Sequence, residues 1–94
     1  MQQRFEWDKG KAEANVRKHG VSFQEAQTVF TDDLSLMIPD PEHSDEEERL
    51  IIIGMSRSSR LLVVIYSERD HRIRLISARK TTRAEREKYE HTDP

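Results

Sequence analysis

Five short segments of the chain predict β-strands, because apolar residues in them either alternate with polar ones or run together. They are residues 3–7, 34–38, 50–54, 61–66 and 72–78. Three of the five alternate, which is typical of strands with one buried face. Residues 50–54 and 61–66 are apolar on both faces, so we expect these two strands in the centre of a sheet.

Helix start and stop signals place two short helices between the first two strands. Asp8 is a good N-cap for a helix that continues through Lys18, and Gly20 supplies its end. Ser22 and Glu25 have the spacing of a capping box, in which each side chain binds the backbone N–H of the other residue. A second helix therefore begins after Ser22.

A second capping box opens the last predicted element. Thr82 and Glu85 have the required spacing, and a helix of mostly charged residues continues from them through about Glu90. The connecting segments are an acidic loop over residues 42–48 and turns over residues 56–60 and 68–71. None of the connections has the composition of a flexible linker.

The order β-α-α-β-β-β-β-α predicts a single α+β domain over residues 1–94. We expect a short N-terminal strand, two helices, a four-stranded antiparallel meander and a C-terminal helix. The connections between the last four strands are of moderate length, which favours antiparallel neighbours. We expect the helices to pack on one face of the sheet.

Composition limits the class of protein. Hydrophobic residues make up 34% of the chain and charged residues 36%, but the apolar residues are clustered enough to form a core. The longest apolar run has six residues, far below the roughly 20 of a membrane-spanning helix. The N-terminus has no apolar signal segment, and the chain has no cysteine for a disulfide or a thiolate metal site. We expect a soluble cytoplasmic protein with no membrane partner.

Charge is distributed unevenly along the chain. Residues 1–48 carry 5 basic and 12 acidic side chains, whereas residues 49–94 carry 11 basic and 6 acidic ones. Arginine dominates the basic half, and its planar guanidinium binds phosphate with two donors at once. This pattern favours a nucleic-acid partner. A solvated charged face is the alternative interpretation, because the isoelectric point of 6.1 is far below the roughly 9 of simple nucleic-acid binders.

Few side chains stand in a pattern that points to catalysis. His43 beside Asp45 and Glu46 could form a metal site, although a solvated acidic loop explains the same residues. His19 could stabilise the end of a helix through its dipole or could transfer a proton. The Tyr89 hydroxyl could serve packing or function.

The arginines have both functional and structural interpretations. Arg72 and Arg74 share one face of a predicted strand, and with Tyr66 near them they resemble a surface for single-stranded nucleic acid. Arg83 and Arg86 instead stand four residues before Glu87 and Glu90, a spacing that allows structural ion pairs on a helix. That second arrangement needs no ligand.

The chain resembles the BrnT toxin family of bacterial type II toxin–antitoxin modules from Phe5 to Glu90. The most specific matching residues are Trp7, Asp8, Lys11, Asn15, the run Lys18-His19-Gly20-Val21, the run Ile76-Ser77-Ala78-Arg79-Lys80, Glu85, Arg86 and Tyr89. The resemblance implies a RelE-like fold and an endoribonuclease that uses no metal or other cofactor and arrests translation. It also implies a BrnA-type ribbon-helix-helix antitoxin as partner, commonly in a 2:2 complex, with operator DNA bound only through the antitoxin.

The resemblance also suggests roles for individual residues. It implies Arg79 and Arg83 as phosphate-binding catalytic residues, supported by Lys80 and Arg57. From their shared strand face, and not from the resemblance, Arg72 and Arg74 are expected as further substrate contacts. The candidates for proton transfer are His19, Glu85 and Tyr89.

Two other classes of function remain open at this stage. A non-catalytic module that binds RNA or a protein would explain the basic half without any general base. A structural interaction domain, in which the arginines make only ion pairs, would have no affinity for RNA at any salt concentration. Growth arrest on expression of the chain alone distinguishes a ribonuclease toxin from both.

Overall fold

The structure is a computed structural model that describes residues 4–40 and 49–91. In this part of the chain the elements are β1 (Arg4–Glu6), α1 (Lys9–His19), α2 (Phe23–Thr28), a 3-10 turn (Val29–Thr31), β2 (Leu36–Pro39), β3 (Arg49–Met55), β4 (Leu61–Arg69), β5 (Arg72–Lys80) and α3 (Arg83–Glu90). The α+β class and the order of elements are confirmed. The predicted acidic loop over residues 42–48 lies outside the described residues.

The strands form one five-stranded sheet in the order β1-β5-β4-β3-β2. Strands β2 to β5 form the predicted antiparallel meander. Strand β1 extends the sheet by pairing in parallel with β5, opposite Arg72, Ile73 and Arg74. Parallel neighbours need a long connection, and here that connection includes both helices and the rest of the sheet.

The β4–β5 hairpin is tighter than the sequence pattern predicts. Its strands pair as far as Arg69 and Arg72, so that only Asp70 and His71 form the turn. Both turn residues have positive φ angles, 52° and 64°, as a two-residue type I′ turn requires. The predicted turn over residues 68–71 is therefore too long, because strand pairing extends into it.

Strand β2 begins later than predicted. Leu34 is 61% exposed and precedes the strand, although the alternating pattern assigns it to the buried face. The Asp32 carboxylate accepts a hydrogen bond from the Leu34 N–H at 3.0 Å and holds this residue in a turn. Pro39 ends the strand at the sheet edge, where its missing N–H is tolerated.

The helix caps follow the sequence signals with one exception. The Asp8 side chain accepts from the Lys11 N–H, and Gly20 ends α1 in the left-handed conformation at φ 68°. Ser22 caps α2 by accepting from the Glu25 N–H. The predicted return contact from the Glu25 carboxylate to Ser22 is wrong, because that carboxylate binds the Arg60 guanidinium instead.

The sheet buries apolar side chains on both of its faces. Helices α1 and α2 cover one face, whose core includes Phe23, Ile52 and Val64. Helix α3 covers part of the other face, where Tyr89 packs with Ile53 and Val63. The prediction that the helices share one face is therefore wrong. Strands that are apolar on both sides need a cover on both sides.

We call the side of the sheet that α3 contacts the α3 face. Strand β5 contributes four residues to it: Arg72, Arg74, Ser77 and Arg79. These residues pair with the odd-numbered residues of β4, and a β-bulge at Ile76 preserves this alignment. The predicted functional arginines of β5 therefore lie on the same face of the sheet.

Candidate functional site

Arg79 lies near the end of β5 and makes three hydrogen bonds. Its Nη1 and Nη2 atoms donate to the two carboxylate oxygens of Glu85, each at 2.8 Å. Nη1 also donates to the Lys80 carbonyl at 3.2 Å. Because a guanidinium has five N–H groups, the Nε–H and one Nη2–H have no partner among the described residues. Arg79 therefore presents one edge with two donors, and its side chain is 36% exposed.

Both the carboxylate and the backbone N–H of Glu85 make hydrogen bonds at the start of α3. One carboxylate oxygen accepts from the Thr82 N–H at 2.8 Å, and the Glu85 N–H donates to the Thr82 hydroxyl at 3.2 Å, which confirms the predicted capping box. The hydrogen bonds from Arg79, assisted by the Thr82 N–H, lower the pKa of Glu85 to about 2. The carboxylate is therefore ionised at neutral pH, and its main structural effect is to orient Arg79.

The low pKa of Glu85 predicts a specific loss of stability in acid. A carboxylate with a lowered pKa stabilises the fold above its ordinary pKa of 4.5, and this contribution disappears as the pH falls to about 2. We expect Glu85→Gln to cost about 2 kcal/mol of unfolding free energy at pH 7 and almost nothing at pH 2. Urea denaturation across this pH range measures the difference.

Glu87→Gln is the matched control, because Glu87 is 59% exposed and meets Arg83 only at 3.6 Å. If the unfolding free energies of the wild type and Glu85→Gln depend on pH in the same way, the low pKa of Glu85 is contradicted.

Tyr89 connects α3 to the turn before β2. Its hydroxyl donates to Asp32 Oδ2 at 2.7 Å, and the same oxygen accepts from the Met55 N–H at 2.8 Å. Burial, together with the Asp32 carboxylate, raises the pKa of Tyr89 to about 12. The phenol is therefore protonated at neutral pH. Sequence analysis missed Asp32, because no local spacing relates it to a residue 57 positions away.

His19 lies at the end of α1, in a groove between this helix and β5. The groove has a volume of about 270 Å³ and is lined by Lys11, Lys18, Ile76 and Ser77 among others. Ser77 precedes Arg79 by two residues on β5, a separation of about 7 Å along a strand. The groove includes Ser77 but not Arg79, and α1 packs on the face of the sheet opposite to the α3 face.

Asn15 fixes β5 beside Arg79. Its side-chain amide donates to the carbonyls of Val21 and Ala78, both at 2.8 Å, and accepts from the Ala78 N–H at 3.1 Å. Strand β1 pairs with β5 only as far as Arg74, so Asn15 takes the place of a neighbouring strand at Ala78. Asparagine is unfavourable inside a helix. Its position within α1 is therefore the sequence signal that indicates a specific role for Asn15.

Three other predicted site residues are exposed. They are Arg57, Lys80 and Arg83. The Arg83 side chain is 93% exposed and lies 3.6 Å from Glu87, so the structural ion pair predicted for this spacing is present. The Arg57 backbone N–H donates to the Thr28 hydroxyl at 2.9 Å, which fixes the β3–β4 turn against the end of α2.

Arg60 has a structural role that the sequence did not indicate. Its guanidinium binds the Glu25 carboxylate, and Nη2 also donates to the Gly20 carbonyl at 3.1 Å. The Ser56 hydroxyl donates to the same carboxylate at 2.7 Å. The hydrogen bonds from Arg60 lower the pKa of Glu25 despite its partial burial. This cluster connects the β3–β4 turn to α2.

Arg72 and Arg74 form a second group at the other end of β5. Both contact the carboxylate of Glu6 on β1, at 3.7 and 3.2 Å. Arg74 precedes Arg79 by five residues, which is about 16 Å along a strand. The predicted proximity of Tyr66 to this group is wrong, because Tyr66 is buried on the opposite face against Phe30.

The described part of the chain contains no candidate metal cluster and no candidate membrane-spanning helix. No group of three or more His, Asp or Glu side chains there could hold a metal ion. The candidate set of His43, Asp45 and Glu46 lies outside the described residues. No helix in residues 4–40 and 49–91 has the length and hydropathy needed to cross a membrane.

The chain matches a known protein family and has the fold of a solved structure. Residues 7–85 match a family described as ribonuclease toxin, BrnT, of type II toxin-antitoxin system. A 1.1 Å crystal structure of the Brucella abortus ribonuclease toxin BrnT superimposes with a TM-score of 0.68 at 21% sequence identity. The match covers 87% of this chain and 100% of the Brucella chain. No curated protein sequence matches the chain.

Proposed function

We propose that this chain, which belongs to the BrnT family of ribonuclease toxins of type II toxin–antitoxin systems, cleaves RNA without a metal ion and thereby arrests translation. The family implies an RNA target and an antitoxin partner. The observation that carries the proposal for the site is the Arg79–Glu85 pair. It orients a guanidinium and leaves two of its N–H donors on a partly exposed edge.

The chemistry requires three things of the protein. In metal-independent cleavage the RNA 2′-oxygen forms a bond to the adjacent phosphorus while the bond from phosphorus to the 5′-oxygen breaks. A base takes the proton from the 2′-hydroxyl, and an acid gives one to the leaving 5′-oxygen. Charge that develops on the phosphate needs oriented donors, and this electrostatic contribution is often the largest. The Nε and Nη2 edge of Arg79 has the geometry to bind two phosphate oxygens.

Glu85 and Tyr89 are poorly suited to transfer protons. Glu85 has a pKa of about 2 and is occupied by Arg79, so it is a weak base. Tyr89 has a pKa of about 12, and its hydroxyl donates a hydrogen bond to Asp32. Of the three candidates this leaves His19 at the end of α1, to which we assign proton transfer. Glu85 acts as a positioning residue for Arg79.

This assignment predicts different effects for two variants. His19→Gln should reduce RNA cleavage about 10²–10⁴-fold, as loss of a general acid–base group does. Tyr89→Phe should keep activity within a few fold but lower the unfolding free energy by about 1–2 kcal/mol, because the hydrogen bond to Asp32 is lost. Single-turnover cleavage rates and urea denaturation measure the two effects. A large loss of cleavage in a folded Tyr89→Phe protein would move the proton transfer to Tyr89.

Expression of the chain alone tests the proposed function. We expect bacterial growth to stop, total RNA to appear as fragments and protein synthesis to fall. The purified protein should still cleave RNA in excess EDTA and leave 2′,3′-cyclic phosphate ends. A 2′-deoxy nucleotide at the cut should block the reaction. RNA binding without cleavage would support the non-catalytic module instead, whereas no affinity for RNA at low salt would support a structural interaction domain.

The proposed partner is a ribbon-helix-helix antitoxin of the BrnA type. Covering the arginines of the α3 face would prevent RNA binding, and a two-plus-two assembly would present two DNA-binding parts to operator DNA. Co-expression should restore growth, and light scattering of the purified complex should give the mass of two copies of each chain. Toxin that still cleaves RNA in the complex would contradict neutralisation by direct binding.

A further inference from the structure

We propose that the groove between α1 and β5 binds the nucleotide next to the bond that is cut, with Lys11 and Lys18 contacting its flanking phosphates. We call this space the α1 groove. The ligand is single-stranded RNA, whose base and ribose lie against the apolar side chains of the groove. This inference rests on the proposed ribonuclease function, because it explains how one RNA strand meets both Arg79 and His19.

One face of α1 forms the first wall of the α1 groove. Lys11, Ala14 and Lys18 line it, and their separations of three and four residues place side chains on one side of a helix. Lys11 and Lys18 are therefore about two turns, or roughly 10 Å, apart along the helix axis. Two cations at this separation suit a ligand with an anionic group at each end. Ala14 between them leaves room for its uncharged part.

An irregularity of β5 forms the second wall. Consecutive residues of β4 pair with Leu75 and Ser77, so that Ile76 between them is the extra residue of a β-bulge. The half-buried Ile76 lines the α1 groove. Since β1 pairs with β5 only as far as Arg74, no strand of the described sheet lies beside Ile76. The groove therefore has an apolar side chain at an open edge of the sheet.

Ser77 belongs both to the α1 groove and to the α3 face. Arg79 does not line the groove, but it follows Ser77 by two residues on the same face, about 7 Å along the strand. An RNA strand that crosses the open edge of β5 here leaves Arg79 and enters the groove that contains His19. This path connects two groups that the sheet places on opposite sides.

Asn15 holds the two walls together before any ligand binds. Its buried amide lines the α1 groove and makes three hydrogen bonds, two of them to Ala78 on β5. A wall that is already fixed loses little conformational entropy on binding. The volume of about 270 Å³ is close to the lower limit of about 300 Å³ for small-molecule sites. The groove therefore suits one nucleotide rather than a longer segment.

The charges around the α1 groove favour phosphate. Within residues 4–40 and 49–91 no carboxylate makes an ion pair with Lys11 or Lys18. The acidic segment over residues 42–48 joins β2 to β3, the two strands at the other end of the sheet from β1 and β5. RNA fits better than an acidic protein segment, because it carries a charge on every residue and so supplies one phosphate to Arg79 and the next to α1.

Lys11→Ala/Lys18→Ala tests the α1 groove. The probe is a labelled six-nucleotide single strand with 2′-O-methyl groups, which cannot be cleaved by its own 2′-oxygen. Each lost phosphate contact should weaken binding roughly fivefold at 0.1 M salt and reduce the salt slope by about 0.7. We therefore expect roughly 25-fold weaker binding for the double variant and a similar loss of kcat/KM on the unmodified strand.

Three further variants make the result specific. Lys9→Ala/Arg17→Ala removes the same charge from exposed positions of the same helix outside the groove, and should bind almost as the wild type does. Lys11→Arg/Lys18→Arg keeps both charges and should retain most of the binding. Ala14→Leu fills the groove without a change of charge, so it should weaken binding severalfold and leave the salt slope unchanged.

A photoreactive thiouracil base locates the bound nucleotide. The base is placed at each position of the probe in turn, and the crosslinked peptides of the wild type are identified by mass spectrometry. We expect crosslinks to α1 or to residues 76–77 at the position adjacent to the cut, which is mapped on the unmodified strand. Crosslinks to these residues only from distant positions would contradict the assignment to the neighbouring nucleotide.

Several outcomes would overturn the subsite. These are unchanged binding in Lys11→Ala/Lys18→Ala, an equal loss in Lys9→Ala/Arg17→Ala, or full binding by folded Ala14→Leu. Unchanged RNA binding with lost antitoxin binding in the first variant would assign the α1 groove to the protein partner. If the wild type cleaves no RNA, the proposed ribonuclease function fails, but binding of the uncleavable probe still decides whether the groove holds RNA.

Discussion

Arg79→Ala should lower the rate of RNA cleavage by about 10²–10³-fold and abolish growth arrest, because it removes the donors that we propose bind the reacting phosphate. The fold should survive. The Arg79–Glu85 pair is partly exposed, at 36% and 25% of the two side chains, so its loss should cost no more than the roughly 2 kcal/mol expected for Glu85→Gln. Glu85 also keeps its capping contact to Thr82. Single-turnover cleavage rates and thermal unfolding of the purified variant measure both effects.

Two other variants show whether geometry or charge matters at this position. Arg79→Lys keeps the charge but cannot bind Glu85 and a phosphate with two donors each, so we expect most of the activity to be lost. Arg83→Ala removes a charge from a 93% exposed side chain on the adjacent helix and should retain more activity than either. Full activity of folded Arg79→Ala would remove this residue from the site. Equal losses in Arg79→Ala and Arg83→Ala would leave Arg79 without a special role.

The largest effect on stability should come from Asn15→Ala. Asn15 is 6% exposed, and its amide satisfies the Val21 carbonyl and both backbone groups of Ala78. A buried polar group without a partner costs about 1–3 kcal/mol. Three such groups, with partial access of water, should lower the unfolding free energy by about 3–5 kcal/mol. For a domain of this size each kcal/mol corresponds to roughly 4–8 °C in Tm.

Asn15→Asp separates hydrogen bonding from side-chain size. Aspartate has the same shape and can still accept from the Ala78 N–H, but it cannot donate, and its charge would face two carbonyls. We expect it to be at least as destabilising as alanine at pH 7. Glu13→Ala is the control, since Glu13 is exposed on the same helix. A loss below about 1 kcal/mol for Asn15→Ala would contradict the role of the amide.

Local patterns predicted much of the fold correctly, because they depend on residues close in sequence. The caps at Asp8, Gly20 and Thr82 form within one helical turn. The two strands that are apolar on both faces identified the centre of the sheet. The resemblance to BrnT toxins, carried by short runs such as residues 76–80, is confirmed by the family match.

Predictions failed where a local signal had a distant competitor. Glu25 was assigned to Ser22 by its spacing, but the Arg60 guanidinium offers a stronger, charged partner for its carboxylate. The alternating pattern began β2 at Leu34, but the Asp32 side chain forms a turn there. In both places a side-chain hydrogen bond outweighed the pattern along the chain.

The sequence by itself determined the class of fold, the positions of the elements and an arginine-rich half, since periodicity, caps and composition are properties of neighbouring residues. Only the tertiary structure decided which distant groups meet: Asn15 with Ala78, Asp32 with Tyr89, and Arg4 with Arg72. It also decided that Glu85 orients Arg79 with both oxygens. The physical reason is that strand order, register and the face covered by each helix arise when apolar surfaces distant in sequence are buried together. No pattern along the chain records those choices.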